Sequence, residues 1–222
     1  MTGPAGSNAD HAPGVDVRLW LQPLPVPEGL GVVATAQARK RAAATAVAAR
    51  LRAELPGAEL TAMRRGEFGK PMLPAPFDHV GFNPSDSGGW FLIGLAHGAD
   101  IGVDLELRRP RPTALAIAQR HFPAAEVDWL RGQADLDHAF LRLWTLKEAL
   151  FKAIGRGLGY GLGKACFQPG ADGRLALVRL DGSAGPAGRW HGHELALGPD
   201  LVGALVASAY VTSITVHSPA GA

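Results

Sequence analysis

One amphipathic stretch near the middle of the chain constrains its fold most strongly. Leu141–Leu158 consists mostly of strong helix formers. Gly155 and Gly157, close to its end, supply a stop signal. At about 100° per residue, one face of the helix collects four apolar side chains, those of Leu143, Leu146, Leu150 and Ile154. The stretch is therefore predicted to be a helix with one apolar face and a charged edge.

The charged residues of this helix have two interpretations each. Glu148 and Lys152 are four residues apart and lie together beyond the apolar face, where they could form a solvated ion pair of small consequence. Lys147 falls inside the apolar arc, where an unpaired ammonium is costly unless its stem carries it past its neighbours to water. The helix alone does not decide between these surface roles and a functional one.

Composition excludes several classes of protein. Of 222 residues, 47% are hydrophobic and 19% are charged, as in an ordinary globular protein of one large or two small domains. A net charge of +2 gives no indication of nucleic-acid binding. No run is apolar enough for a membrane span, and no secretory signal is seen. The single cysteine, Cys166, rules out an internal disulfide framework, so we expect a cytoplasmic protein.

Two segments of the N-terminal half could present groups to an anion. Gly66–Pro71 is rich in turn residues and sets Lys70 beside a stiff X-Pro step. Gly81–Gly89, which is dense in Asn, Ser and Gly, is predicted to be a loop before an apolar strand at Trp90–Ala96. Such a loop could hold a phosphate through amides and hydroxyls, or it could be a plain tight turn.

A second strand, predicted at Ile101–Leu107, carries two carboxylates. Alternation puts Asp104 and Glu106 on one side of the strand, where they repel each other unless a cation lies between them. Carboxylates of this kind suit Mg²⁺, which recruits substrate phosphates to complete its coordination. An exposed strand face is the alternative.

The rest of the chain continues this alternation of strands and helices. A Gly- and Pro-rich tail covers 1–14. A strand at Val15–Leu21 precedes a helix at Thr35–Leu55, whose basic residues, including Arg39, could meet an anion or lie in solvent. Further helices are predicted within 112–133, and further strands at 165–167, 175–180, 204–209 and 214–216. The pattern predicts a mixed α/β (α+β) protein.

Four motifs occur in a fixed order. They are Gly-Lys-Pro at 69–71, Phe-Asn-x-Ser-x-Ser at 82–87, Ile-Gly-Val-Asp-x-Glu at 101–106 and Trp-x-x-Lys-Glu-Ala-x-x-Lys at 144–152. Together they resemble the Sfp-type 4′-phosphopantetheinyl transferases, which move phosphopantetheine from coenzyme A to a serine of a carrier protein. The resemblance covers about 65–162. Its most specific part is the Asp-x-Glu strand followed by the Lys-Glu-x-x-x-Lys helix.

The resemblance implies a fold of two similar α/β subdomains related by a pseudo-twofold axis, with the coenzyme in the cleft between them. Applied to this chain, it implies a disordered tail at 1–14, an N-terminal subdomain at 15–99 and a C-terminal subdomain at 100–217 that carries the metal site. No residue-level internal repeat supports the duplication independently.

The resemblance also assigns roles to nine residues. The carboxylates implied to hold Mg²⁺ are those of Asp104, Glu106 and Glu148, and Glu148 is also implied to accept the proton of the carrier serine. The residues implied to contact coenzyme A are Lys70 and Pro71 beside the adenine nucleotide, Ser85, Asp86, Lys147 and Lys152 at its phosphates. Lys152 is further implied to stabilise the leaving bisphosphate.

Asp86 departs from the family pattern. The family usually has histidine between the two serines, where it meets the 3′-phosphate of coenzyme A. A carboxylate about 4 Å from a phosphate costs up to roughly 4 kcal/mol at an effective dielectric near 20. We therefore expect weaker coenzyme binding, or a preference for coenzyme without the 3′-phosphate.

The expected function is Mg²⁺-dependent conversion of an acyl or peptidyl carrier protein from its apo to its holo form. The carrier would serve fatty acid, polyketide or nonribosomal peptide synthesis, and we expect a monomer with no nucleic-acid or membrane partner. One alternative is a non-catalytic homologue that binds coenzyme A or a carrier protein without transfer. An unrelated Mg²⁺-dependent phosphoesterase would require the Gly-Lys-Pro and Ser-x-Ser segments to be coincidences.

Overall fold

The computed structural model describes residues 14–25, 29 and 31–219, so the predicted tail lies outside it except for Gly14. The described residues form a mixed α/β structure, as the sequence predicts. Its strands and helices are β1 (Val15–Pro23), α1 (Val32–Glu54), β2 (Arg64–Arg65), β3 (Pro71–Met72), β4 (Val80–Ser87), β5 (Trp90–His97), β6 (Ile101–Leu107), α2 (Ala114–His121), α3 (Ala124–Arg131), α4 (Leu136–Ile154), β7 (Ala165–Pro169), β8 (Leu175–Leu180), β9 (His191–Leu195), β10 (Leu201–Ala207) and β11 (Val211–His217).

Helix α4 is the predicted amphipathic helix, displaced toward the N-terminus. It begins at Leu136 because Asp135 caps it, accepting a hydrogen bond from the His138 amide at 2.9 Å. It ends at Ile154 rather than Leu158 because Gly155 takes a left-handed conformation with φ 86°. The Gly155 and Arg156 amides then bond back to the last turn. The sequence thus identifies the stop signal, but the helix ends directly before Gly155 instead of continuing to Leu158.

The apolar face of α4 is buried almost completely. Leu143, Leu146 and Leu150 are fully buried, whereas Ile154 is only partly so. The helix lies tightly against β6, and Gly102 permits this approach. A Cβ at Gly102 would sit 2.0 Å from the Ala149 carbonyl oxygen. The same face of β6 carries Asp104 and Glu106 further along, so the close contact fixes the carboxylates beside the helix.

Two larger sheets organise the chain. One has the order β11-β1-β5-β4, and the other has the order β6-β10-β9. The last strand, β11, pairs in parallel with β1, so the C-terminal segment completes the sheet that contains the first strand. The predicted boundary between 15–99 and 100–217 stays a prediction.

The segment predicted to be a loop at 81–89 is instead strand β4 for most of its length. Three polar side chains on one face of β4 bond to alternate amides of β6. The Val103, Leu105 and Leu107 amides donate to Asn83 Oδ1 at 2.9 Å, Ser85 Oγ at 3.2 Å and Ser87 Oγ at 3.2 Å, respectively. The Asn and Ser side chains that suggest a loop therefore accept hydrogen bonds from β6, in place of backbone carbonyl groups, where the two larger sheets meet.

The pattern does not predict β9 or the two short strands β2 and β3, and β10 and β11 begin three residues before their predicted starts. Strands β6 and β8 have the predicted bounds, and β1, β5 and α1 differ from theirs by a few residues. Among the described residues, no helix is both long and apolar enough to cross a membrane.

Candidate active site

A cleft of about 350 Å³ opens where β4, β6 and α4 meet. Six of the nine residues predicted for the site line it, namely Ser85, Asp86, Asp104, Glu106, Glu148 and Lys152. Strands β4 and β6 supply the first four, and α4 supplies the last two, one turn apart. The cleft therefore brings together acidic groups and a lysine from segments that are up to 67 residues apart in sequence.

Asp104 lies at the buried end of the cleft, with 5% of its surface exposed. Its Oδ1 accepts hydrogen bonds from Lys152 Nζ at 2.6 Å and from Ser85 Oγ at 2.9 Å. Its Oδ2 is buried and has no hydrogen-bond partner among the residues that the structure describes. Burial raises the pKa of Asp104, although Lys152 and Ser85 stabilise its charged form. The unpartnered oxygen leaves Asp104 able to bind a further cation or proton.

Glu106 lies nearer the mouth of the cleft and has a cation of its own. Its Oε2 accepts hydrogen bonds from Arg111 Nη2 at 2.6 Å and from Ser87 Oγ at 3.1 Å. Ser87 and Ser85 therefore have the same double role, since each accepts from a β6 amide and donates to the carboxylate beside it. Sequence reasoning missed Arg111 and Ser87, although the alternate spacing of Ser87 with Ser85 was a usable signal.

Glu148 faces both β6 carboxylates from α4 and is half-buried. Burial raises its pKa from 4.5 to about 7. The negative charge of Asp104 acts in the same direction, Lys152 opposes it, and Glu106 adds to the rise. Glu148 can thus exchange a proton near neutral pH, which is the property that a general base requires.

Asp86 has a partner that the sequence did not identify. Arg39 Nη2, from α1, lies 2.6 Å from Asp86 Oδ2, and about a third of each side chain is exposed. The basic face of α1 thus meets an anion of the protein itself. The pair reduces the negative charge beside the cleft, so the repulsion expected between Asp86 and a phosphate is weaker than the sequence suggests.

The prediction that Lys147 reaches a phosphate needs correction. Lys147 is fully buried and is not among the residues that line the cleft. Its Nζ lies 2.9 Å from Oε2 of Glu126, which is also fully buried. The ammonium also donates to the carbonyl oxygens of Leu162 and Ala165. The local pattern around Lys147 does not predict this pair, because Glu126 belongs to another helix, α3. The positive charge of Lys147 within the apolar face is thus balanced by the buried negative charge of Glu126.

Lys70 and Pro71 line a neighbouring cleft of about 190 Å³. Lys70 Nζ donates to the Ala153 carbonyl oxygen at 2.8 Å and to Asp100 Oδ1 at 3.0 Å, so it fastens the β2–β3 turn to the end of α4. Lys152 lines both this cleft and the larger one. The two predicted groups of residues therefore adjoin each other through Lys152.

The donor set suits a divalent cation, although it is not arranged as a finished metal site. Among the described residues, no three acidic, histidine or cysteine side chains are grouped as a metal would require. Three observations nevertheless fit a hard cation: the orphaned Asp104 Oδ2, the raised pKa of Glu148, and the mutual repulsion of the three carboxylates. Asp104, Glu106 and Glu148 are the residues that could hold it.

Known proteins resemble the region that contains most of this cleft. Residues 100–206 match the model of the 4′-phosphopantetheinyl transferase superfamily. The 4′-phosphopantetheinyl transferase psf-1 of Bacillus pumilus is 39% identical over 119 residues, covering 52% of this chain and 49% of that protein. The transferase ffp of Bacillus subtilis is 34% identical over 113 residues, covering 50% and 49%.

The 4′-phosphopantetheinyl transferase Sfp of Bacillus subtilis is 32% identical over 118 residues, covering 52% of this chain and 50% of that protein. The chain thus spans about half the length of the curated relatives it matches. Among solved structures, the holo-[acyl-carrier-protein] synthase of Thermotoga maritima has a TM-score of 0.40 at 23% identity, covering 50% of this chain and 63% of that one. The resemblance to the Sfp-type transferases is confirmed as a similarity: residues 100–206 match the 4′-phosphopantetheinyl transferase superfamily, and about half of the chain is similar to Sfp.

Proposed function

We propose that this protein transfers the 4′-phosphopantetheine group from coenzyme A to a serine of an acyl or peptidyl carrier protein. The observation that carries the proposal is the convergence of Asp104, Glu106, Glu148 and Lys152 on one cleft, next to a second cleft that contains Lys70. The match of residues 100–206 to the 4′-phosphopantetheinyl transferase superfamily model supports the same reaction class.

In the proposed reaction, the hydroxyl oxygen of the carrier serine forms a bond to the phosphorus that bears the pantetheine arm. The phosphoanhydride bond of coenzyme A breaks, and adenosine 3′,5′-bisphosphate leaves. Glu148 accepts the serine proton, directly or through water, and its pKa of about 7 suits that task. Lys152 can offset charge on the leaving phosphate, since its ammonium lies between the two clefts.

Asp104, Glu106 and Glu148 would hold the divalent cation, which we take to be Mg²⁺. When bound, such an ion polarises phosphoryl oxygens and offsets the negative charge that develops on them. The two serines of β4 contribute by orienting the carboxylates, because each donates a hydrogen bond to one of them. Service in carrier-dependent synthesis, action as a monomer and a cytoplasmic location remain part of this proposal.

The test is incubation with an apo-carrier protein, coenzyme A and Mg²⁺, followed by mass spectrometry of the carrier. We expect the carrier to gain one phosphopantetheine group. Glu148→Gln should slow transfer about 10²- to 10⁴-fold, because the amide cannot accept the proton. Asp128→Asn is the matched control, since Asp128 is exposed and pairs only with Arg131 among the contacts described; its rate should not change.

Two results would contradict the proposal in different ways. If the protein binds coenzyme A but modifies none of several carriers, the non-catalytic alternative is favoured. If the wild type transfers the group and the Glu148→Gln variant does so at the same rate, the proposed reaction is retained. The role of Glu148 as general base is then wrong.

A further inference from the structure

We propose that Arg111 is a built-in counter-cation of the cleft, which a divalent ion must displace from Glu106 in order to bind. The inference rests on the proposed function for the role of the cation, but it concerns a residue that the four sequence motifs do not include. Arg111 follows β6 by a few residues, and its guanidinium closes back onto Glu106 of the same segment.

The contact between Arg111 and Glu106 differs from a structural ion pair elsewhere in the chain. Arg142 meets Glu194 through two parallel contacts, from Nε to Oε1 and from Nη2 to Oε2. Such a fork is the strong arrangement for arginine and a carboxylate. Within the described part of the chain, Arg111 instead meets Glu106 through Nη2, and its Nε is buried without a hydrogen-bond partner. The ion pair between Arg111 and Glu106 is therefore weaker than a two-contact pair, because the buried Nε–H of Arg111 takes no part in it.

The backbone holds Arg111 in place independently of that contact. Pro110 and Pro112 flank it and restrict the local conformation. The Arg111 carbonyl oxygen also accepts a hydrogen bond from the Ala114 amide at 2.8 Å, at the start of α2. Because the loop is fixed in this way, the Arg111 backbone stays within reach of Glu106, while its side chain can turn aside when an ion binds.

The charges in the cleft explain why such a cation is useful. Asp104 has Lys152 as its partner and Glu106 has Arg111, while Glu148 is the third carboxylate nearby. Without Arg111, the cation-free cleft would hold one more uncompensated negative charge, and the carboxylates would repel more strongly. Arg111 thus stabilises the empty cleft and competes with the incoming ion for Glu106.

The experiment measures metal binding in the absence of coenzyme and carrier. Mn²⁺ is titrated calorimetrically into the full-length wild type, Arg111→Gln and Arg111→Lys at constant ionic strength. We expect Arg111→Gln to bind Mn²⁺ about fivefold more tightly, which corresponds to about 1 kcal/mol for a half-buried pair. Arg111→Lys keeps the charge and should lie closer to the wild type.

Arg108→Gln is the matched control, because Arg108 belongs to the same loop but pairs with the exposed Asp135. It removes the same charge at the surface and should leave Mn²⁺ affinity unchanged. Equal or weaker Mn²⁺ binding by Arg111→Gln would overturn the inference, as would a tightening of the same size in Arg108→Gln. A transferase assay on the wild type separates the two proposals, since transfer with unaltered Mn²⁺ affinity in Arg111→Gln would refute only the role of Arg111.

Discussion

Replacing Lys147 with methionine should lower the free energy of unfolding by about 3 to 5 kcal/mol. Methionine fills a similar volume but removes the charge that balances Glu126, and both side chains are fully buried in the wild type. It also removes the hydrogen bonds from Nζ to the Leu162 and Ala165 carbonyl oxygens. Since a domain is stabilised by only about 5 to 15 kcal/mol, this loss is large enough to measure readily.

The size of the loss should depend on pH in a defined direction. Burial already raises the pKa of Glu126 above its ordinary 4.5, and Lys147 is the main influence that lowers it. Without Lys147, the folded chain holds the Glu126 proton still more tightly than the unfolded chain does. Stability is then lost as pH rises above about 4.5, so the cost of Lys147→Met should be smaller near pH 5 than near pH 8.

Urea denaturation monitored by tryptophan fluorescence at both pH values measures this cost. Adding Glu126→Gln to Lys147→Met should restore a large part of the stability, because the buried charge is gone and the amide oxygen can still accept from the Phe167 amide. Arg131→Met is a control for loss of an exposed pair and should change little. A loss below about 1 kcal/mol for Lys147→Met, or a loss that is the same at both pH values, would refute the reasoning.

Two further predictions concern the rim and the base of the cleft. Arg39→Ala should raise the KM for coenzyme A in a transfer assay, because it leaves the charge of Asp86 uncompensated. Adding Asp86→His to this variant should lower the KM again. An unchanged KM in both variants would show that the pair lies away from the coenzyme. Gly102→Ala should cost about 1 to 3 kcal/mol of stability in thermal unfolding, because its Cβ would lie 2.0 Å from the Ala149 carbonyl oxygen. A wild-type melting temperature would mean that α4 can move away freely.

Local patterns in the sequence were sufficient for several parts of the structure. The alternation at Ile101–Leu107 predicts β6 with its observed bounds, and Gly155 is the predicted stop signal, although the helix was expected to continue to Leu158. These features depend on backbone preferences and on side chains a few residues apart, so the local sequence is sufficient to predict them. The motifs were likewise sufficient to predict the superfamily whose model residues 100–206 match.

Pairings between distant segments were decided only by the tertiary structure. Asn83, Ser85 and Ser87 have the composition of a loop, yet they form a strand because their side chains bond to β6 amides. Lys147 pairs with Glu126 of α3 rather than reaching the cleft. Arg111 pairs with Glu106, which no local pattern indicates, and Arg39 pairs with Asp86, an anion that the basic pattern of α1 does not identify. The sequence alone determined which groups are present and on which face of each element they lie. The folded chain determined their partners, because a buried charge is costly unless the tertiary structure brings an opposite charge next to it.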